Sequence, residues 1–197
     1  MNKHTKDQDA SSRQIVFLKG KKTVLRPISE HDIPLFLRWF NDPDVRPYLM
    51  TIFPVTEGKE RDWIENMNKK SETEVVLMIE AKGVPIGTMG IHAIDWRSGV
   101  GTTGAAIGEK QYWDKGYGTD AKMALLDYAF NTLNLRKIMT RVKAFNKRSI
   151  AYSLHCGYKV EGRLKEQVFA HGCYWDEVIL GLFKKDWLPY WEKYVKK

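Results

Sequence analysis

Cysteine is scarce in this 197-residue chain: only Cys156 and Cys173 occur, with no Cys-x-x-Cys pair. That argues against a disulfide framework and against a structural zinc site. Long apolar runs are also lacking, since stretches such as 75–79 stop after a few positions, far short of the roughly 18 residues of a membrane span. The N-terminal residues MNKHTKDQDASSR have no apolar centre and do not read as a secretory signal. They are expected to form a flexible tail (1–13) ahead of one domain over 14–197. These absences leave the expectation of a soluble, cytoplasmic protein with no membrane partner. Core-forming material is ample: 43% hydrophobic and 12% aromatic residues argue against a disordered chain. Lys and Arg number 32 against 24 Asp and Glu, a net charge of +8, which favours polyanionic ligands. The bases are scattered along the whole chain, with a modest cluster at 136–148, unlike the concentrated basic and aromatic element of a nucleic-acid module. No direct nucleic-acid partner is expected.

The chain order reads as mixed α/β. A strand, or two short strands broken at Gly20, covers 15–28. Ser29 and Asp32 make a start resembling a capping box for a short amphipathic helix over 33–40, which Asn41-Asp42-Pro43 ends. After an aromatic loop, Thr56 can cap a second helix carrying Trp63, Ile64 and Met67. A hairpin follows over 74–80 and 86–94, then a strand over 102–109 rich in small residues. Beyond Gly118, Ala121, Ala124, Leu125, Tyr128, Ala129 and Thr132 share one helical face. A strand over 138–145, a helix over 147–156 and a closing hairpin over 158–170 and 174–183 complete the order. The sheet starts antiparallel and crosses over in the middle. No internal repeat is present.

The segment with the most chemical content is Tyr112-Trp113-Asp114-Lys115-Gly116-Tyr117-Gly118-Thr119, between a strand and a helix. Glycines there let the backbone turn tightly, so that N–H groups over the helix start can point at an anion. The implied ligand is a phosphate or pyrophosphate, with Lys115 as an adjacent cation. No GxxxxGK[ST] string exists. Gly116, Gly118 and Ala121 match GxGxxG/A literally, but the next strand, Ile-Met-Thr-Arg-Val-Lys, lacks the acidic residue that a dinucleotide site uses for the ribose.

Taken with the order of elements, Trp113-Asp114-Lys115-Gly116-Tyr117-Gly118 resembles the acyl-CoA loop Q/R-x-x-G-x-G/A of the GNAT superfamily of N-acetyltransferases, with Trp replacing Gln/Arg. That replacement is similar to the RimJ/RimL-type branch, named for enzymes that acetylate N-termini of ribosomal proteins. Val24-Leu25-Arg26-Pro27, Asn41-Asp42-Pro43-Asp44-Val45, Asn146-Lys147-Arg148-Ser149 and Cys156-Gly157-Tyr158 extend the resemblance over about 15–190. It implies a central twisted mixed β-sheet flanked by helices and splayed between its fourth and fifth strands. It implies acetyl-CoA as co-substrate and no metal. Backbone groups at Ala106, Ile107 and Gly108 would bond pantetheine, those at Asp114, Lys115, Gly116, Tyr117, Gly118 and Thr119 the pyrophosphate, and Asn146 pantetheine again.

Family members place a Tyr four residues before the Gly of the Gly-Phe/Tyr pair as acid for the departing thiolate. Here that position is Ser153, with Tyr152 beside it, about 100° around the helix. Ser149, one turn earlier, is therefore the first candidate and Ser153 the second. For the base, Arg141 occupies the position where some relatives carry Glu. In the RimL branch a Glu can lie on the penultimate strand, where this chain has Val168; Glu166, two residues away and so expected on the same strand face, is the substitute. The expected partner is an amine acceptor, such as the N-terminus of a ribosomal or other protein, and the expected assembly a monomer or homodimer. A small-molecule acceptor and a non-catalytic acyl-CoA-binding module are the other readings. Loop 47–56 contains no carboxylate, which disfavours a polyamine.

Overall fold

The computed structural model describes residues 15–69 and 72–196; the segment read above as a tail lies outside them. Among the described residues, eight strands form one sheet in the order β1-β2-β3-β4-β5-β6-β8-β7. They are β1 (Leu18–Lys19), β2 (Val24–Pro27), β3 (Val75–Ala81), β4 (Val84–Asp95), β5 (Val100–Ile107), β6 (Lys137–Lys143), β7 (Lys159–Ala170) and β8 (Cys173–Phe183). The helices are α1 (Ile33–Phe40), α2 (Glu57–Lys69), α3 (Tyr117–Asp127), α4 (Lys147–His155) and α5 (Lys184–Lys196). Only β5 and β6 pair in parallel, and their ladder holds just Val100–Thr102 against Lys137–Met139. Beyond that point the strands part. With β1 and β2 counted as the single broken strand of the sequence reading, these are its fourth and fifth strands.

Alternation along β3 explains why the sheet is covered on both faces. Leu77, Ile79 and Ala81 join the main core with Leu125, Phe130 and Leu180. Met78, pointing the other way, joins Ile33, Phe36, Trp39 and Ile64 of α1 and α2. The Leu-Arg-Pro run at the start fixes this second layer. Arg26 sits between Asp32 at 2.7 Å and Glu80 at 2.6 Å. Burial works against the Asp32 carboxylate, but the Arg26 and Ser29 hydrogen bonds outweigh it and hold its pKa below the usual range. The lysine–glycine turn between β3 and β4 has both residues at positive φ, 53° at Lys82 and 77° at Gly83, which suits a two-residue hairpin.

Beyond Phe183, the last residue of the expected closing hairpin, the chain continues as α5. Trp187 is fully buried and stacks 5.1 Å from Trp191, which stacks 5.5 Å from Tyr194. Pro189 removes one intrahelical hydrogen bond, and this aromatic stripe outweighs the loss. Among the described residues no helix is long and apolar enough to cross a membrane.

Candidate active site

Where β5 and β6 part, a cleft of about 360 Å³ opens between β5, the start of α3 and one face of α4. The start of α3 closes one side of the cleft. Gly116 caps the helix with φ 80°, a left-handed conformation open to glycine. The first helical hydrogen bond runs from Asp120 N–H to Gly116 O, 3.0 Å. The amides of Tyr117, Gly118 and Thr119 precede it and have no backbone partner among the described residues. Gly116, Gly118 and Thr119 line the cleft, as does Asp114. Lys115 and Tyr117 do not: Tyr117 packs edge-on to Tyr112 at 5.1 Å.

The missing cation comes from elsewhere. Asp120 is buried and accepts bonds of 2.8–3.0 Å from Lys21 N, Lys22 N, Thr23 N, Thr23 Oγ1 and Tyr194 OH. It thereby pins the β1–β2 turn against α3, and Lys22 Nζ reaches Lys115 O at 3.3 Å. Arg148 of α4 lies over the Trp113 ring, 3.9 Å from its centroid, and 3.6 Å from Asp114. Neither Lys22 nor Arg148 is among the residues expected at the site from sequence. Arg148 sits inside the quoted Asn146–Ser149 run; Lys22 carries no local signal.

On β5 the strand phase corrects the expected pantetheine partners. Thr103 O accepts from Thr140 Oγ1 of β6 at 3.0 Å, and Ile107 O accepts from Trp113 Nε1 at 2.7 Å. Gly108 N–H donates to Ile86 O of β4 at 2.9 Å. By alternation, the backbone groups of Ala105 and the N–H of Ile107 face the gap, while those of Ala106 and Gly108 face β4. Gly108 lies outside the cleft, and a Cβ there would meet Trp39 at 2.1 Å. Ala106 still contributes lining.

Asn146 caps α4, its Oδ1 accepting from Ser149 N–H at 3.1 Å. Both residues also line the cleft, so cap and candidate contact coincide. Ser153 does not reach it. Its side chain is fully buried, and its Oγ donates to Ser149 O at 2.8 Å. The helix face that does reach the cleft carries Tyr152 and His155. Burial raises the Tyr152 phenol well above its ordinary value, so it stays protonated at neutral pH. Glu166 is also displaced from the expected place. The β7–β8 register is interrupted between Leu164 and Val168, Glu166 has φ 51°, and its N–H bonds Asp176 at 2.9 Å. The two-residue rule that placed it beside Val168 fails at this bulge, and Glu166 is exposed outside the cleft. Arg141 is occupied by Glu177, at 2.9 Å from its Nε.

Beneath Tyr152 lies Lys122, wholly buried, with no hydrogen-bond partner for Nζ among the described residues. The ammonium stands 5.5 Å from the Tyr152 ring centroid and 5.7 Å from that of Tyr158. Burial lowers its pKa from 10.5 to about 8. The unfolded chain therefore binds more protons between pH 8 and 10.5, and stability rises with pH across that window. Below pH 8 the full penalty applies, of order 3 kcal/mol at about 1.4 kcal/mol per unit. Lys122→Met is expected to raise the melting temperature at pH 7 and to flatten this rise, as calorimetry at pH 7 and 10 would show. An unchanged or lowered melting temperature at pH 7 would mean that the ammonium is not an unpaid charge in the core.

Among the described residues no group of three or more His, Cys, Asp or Glu side chains could hold a metal ion. The sequence model of the acetyltransferase (GNAT) domain matches residues 22–159. An uncharacterized N-acetyltransferase of Bacillus licheniformis is 29% identical over 175 residues, covering 86% of this chain and 97% of that protein. The fold is similar to that of a spermidine N-acetyltransferase from Vibrio cholerae solved with CoA and spermine. The TM-score is 0.76 at 22% identity, over 85% of this chain and 98% of that one. Mycobacterium smegmatis RimJ, solved with CoA-disulfide, gives a TM-score of 0.78 at 19% identity, over 88% of each chain.

Proposed function

The chain belongs to the GNAT acetyltransferase family, and from that premise, an N-acetyltransferase that uses acetyl-CoA, we propose that it acetylates the α-amine of a protein or peptide. The observation that supports this acceptor is the charge of the cleft lining. Its one carboxylate, Asp114, already faces Arg148 at 3.6 Å. A multiply charged polyamine finds no pair of carboxylates there, and the net charge of +8 repels it. The spermidine enzyme among the similar structures favours a second reading, a small-molecule amine. The test is a thiol-release assay with acetyl-CoA against N-terminal peptides and spermidine. Faster turnover of spermidine than of any peptide would overturn the proposal.

In this reading the amides of Gly118 and Thr119, with Lys22 and Arg148, hold the pyrophosphate, and Ala105 and Ile107 pair with the pantetheine arm. Acetyl-CoA supplies an activated acyl carbon. Tyr152 gives its proton to the leaving sulfur, and the Lys122 ammonium under the ring offsets the charge left on the phenolate. Ser149 positions the sulfur. General acids contribute about 10²–10⁴-fold, so Tyr152→Phe is expected to lower kcat about 100-fold with acetyl-CoA affinity unchanged. Ser149→Ala, losing one neutral hydrogen bond of about 1 kcal/mol, should lower it only severalfold. Steady-state rates with chemistry shown to be limiting would check this. The reverse ranking would return the acid role to Ser149.

A further inference from the structure

A second cavity, of about 300 Å³, lies behind Ala106 and Leu49, which line both it and the cleft. Phe40 and Trp63 supply its apolar wall. Glu60 of α2 lines it as well. This glutamate is 8% exposed, and its Oε2 has no hydrogen-bond partner among the described residues. Burial raises its pKa. The neighbouring cation on the wall, Lys59, is engaged elsewhere: its Nζ donates to Pro54 O at 3.2 Å and packs over the Phe53 ring at 5.9 Å. A buried carboxylate without a partner is costly to keep.

We infer that Glu60 receives the amine of the acceptor, in a cavity fitted to one primary amine carried on an apolar body. The inference rests on the N-acetyltransferase reading and names its acceptor class. One carboxylate matches one ammonium, the Phe40–Trp63 wall takes the apolar body, and Lys59 opposes a second cation. The chemistry balances. The ammonium passes its proton to Glu60, and the freed nitrogen bonds the thioester carbonyl carbon. The carbon–sulfur bond breaks, and the thiolate takes the proton of Tyr152. The nitrogen sheds its second hydrogen to the phenolate as the amide forms, which restores Tyr152, and Glu60 returns its proton to solvent, leaving an amide and CoA thiol.

Such an amine is found both in a free apolar monoamine and in an apolar N-terminal residue, and the experiment separates the two. Rates of CoA release would be measured with phenethylamine, with the peptide amide Phe-Ala-Ala and with spermidine. Phenethylamine binding to the CoA-saturated protein would be followed by calorimetry. Wild type should use phenethylamine or the peptide at least tenfold better than spermidine, the better of the two identifying the source. Removing one partner of a buried charged contact costs at least about 30-fold. Glu60→Gln should therefore lose that much in kcat/KM and lose phenethylamine binding, with acetyl-CoA affinity unchanged and the melting temperature no lower than that of wild type. Lys59→Glu, at an exposed position, should raise spermidine use at least tenfold, a gain that no folding defect would mimic. Wild-type acceptor kinetics and binding in Glu60→Gln would overturn the inference, as would spermidine being the preferred amine of wild type. Absence of CoA release with every amine would overturn the catalytic reading instead, and phenethylamine binding would still decide the role of Glu60.

Discussion

Gly118→Trp is expected to abolish acetyl-CoA binding, raising Kd by at least about 100-fold, while the protein keeps its fold. The reason lies in which way the new side chain must go. Gly118 is not at positive φ, so its helical backbone accepts an L-residue without strain. A Cβ there meets nothing nearer than Ile107 Cγ1 at 4.0 Å, and the residue lines the cleft. The indole therefore enters the space over the amides of Gly118 and Thr119 rather than the core. Hydrogen bonds to a charged group contribute about 1.5–3 kcal/mol each, and losing two is about 3–6 kcal/mol, or more than 100-fold. Calorimetric titration with acetyl-CoA and a thermal melt would be run together. A folded Gly118→Trp protein that binds acetyl-CoA as wild type does would show that the α3 start is not the phosphate site.

That loop was readable in sequence because its information is local: glycine spacing alone announces a tight turn over a helix start. The cations around it were not. Lys22 arrives through the Asp120 carboxylate, 98 positions away from its own amide, and no short-range pattern encodes that approach. Errors of phase account for the remaining differences. Counting back from Gly157 chose Ser153, but one residue on a helix is about 100°, and the α4 face against the cleft is the one carrying Tyr152. On β5 the expected run Ala106, Ile107 and Gly108 mixed the two edges of the strand: the N–H of Ile107 faces the gap together with Ala105, while Ala106 and Gly108 face β4. For Glu166 the alternation itself was broken by the bulge. Glu60 illustrates a different limit. Along α2 it sits among Glu57 and Glu65 as one more acidic residue of a polar helix, and only the packing of loop and α2 around the cavity distinguishes it. The fold was legible further along, because β3 and β4 are short apolar runs joined by a glycine-containing turn and α3 follows a helical period. The α5 stripe went unread because Pro189 and the flanking lysines mask its period.

An N-terminal α-amine should be acetylated a few hundredfold faster than a lysine side chain at pH 7. A model α-amine has a pKa near 7.7–8.0 and lysine one near 10.4. Freeing the nucleophile at pH 7 costs about 1.1 kcal/mol for the first and about 4.6 kcal/mol for the second. The difference of roughly 3.5 kcal/mol is a few hundredfold in the population of reactive amine. A carboxylate that accepts the proton, such as Glu60, lowers both costs alike and leaves the ratio standing. Charge acts in the same direction: the +8 chain repels basic acceptors and favours neutral or acidic peptides. Raising the pH to 9 frees both amines more fully, so the preference should narrow as the α-amine population saturates and that of lysine keeps rising. Mass spectrometry of neutral peptides with a free N-terminus, against N-blocked peptides carrying one internal lysine, would measure both ratios. Preferential acetylation of the lysine at pH 7 would mean that the site selects by shape strongly enough to override the cost of deprotonation, and the α-amine proposal would fall.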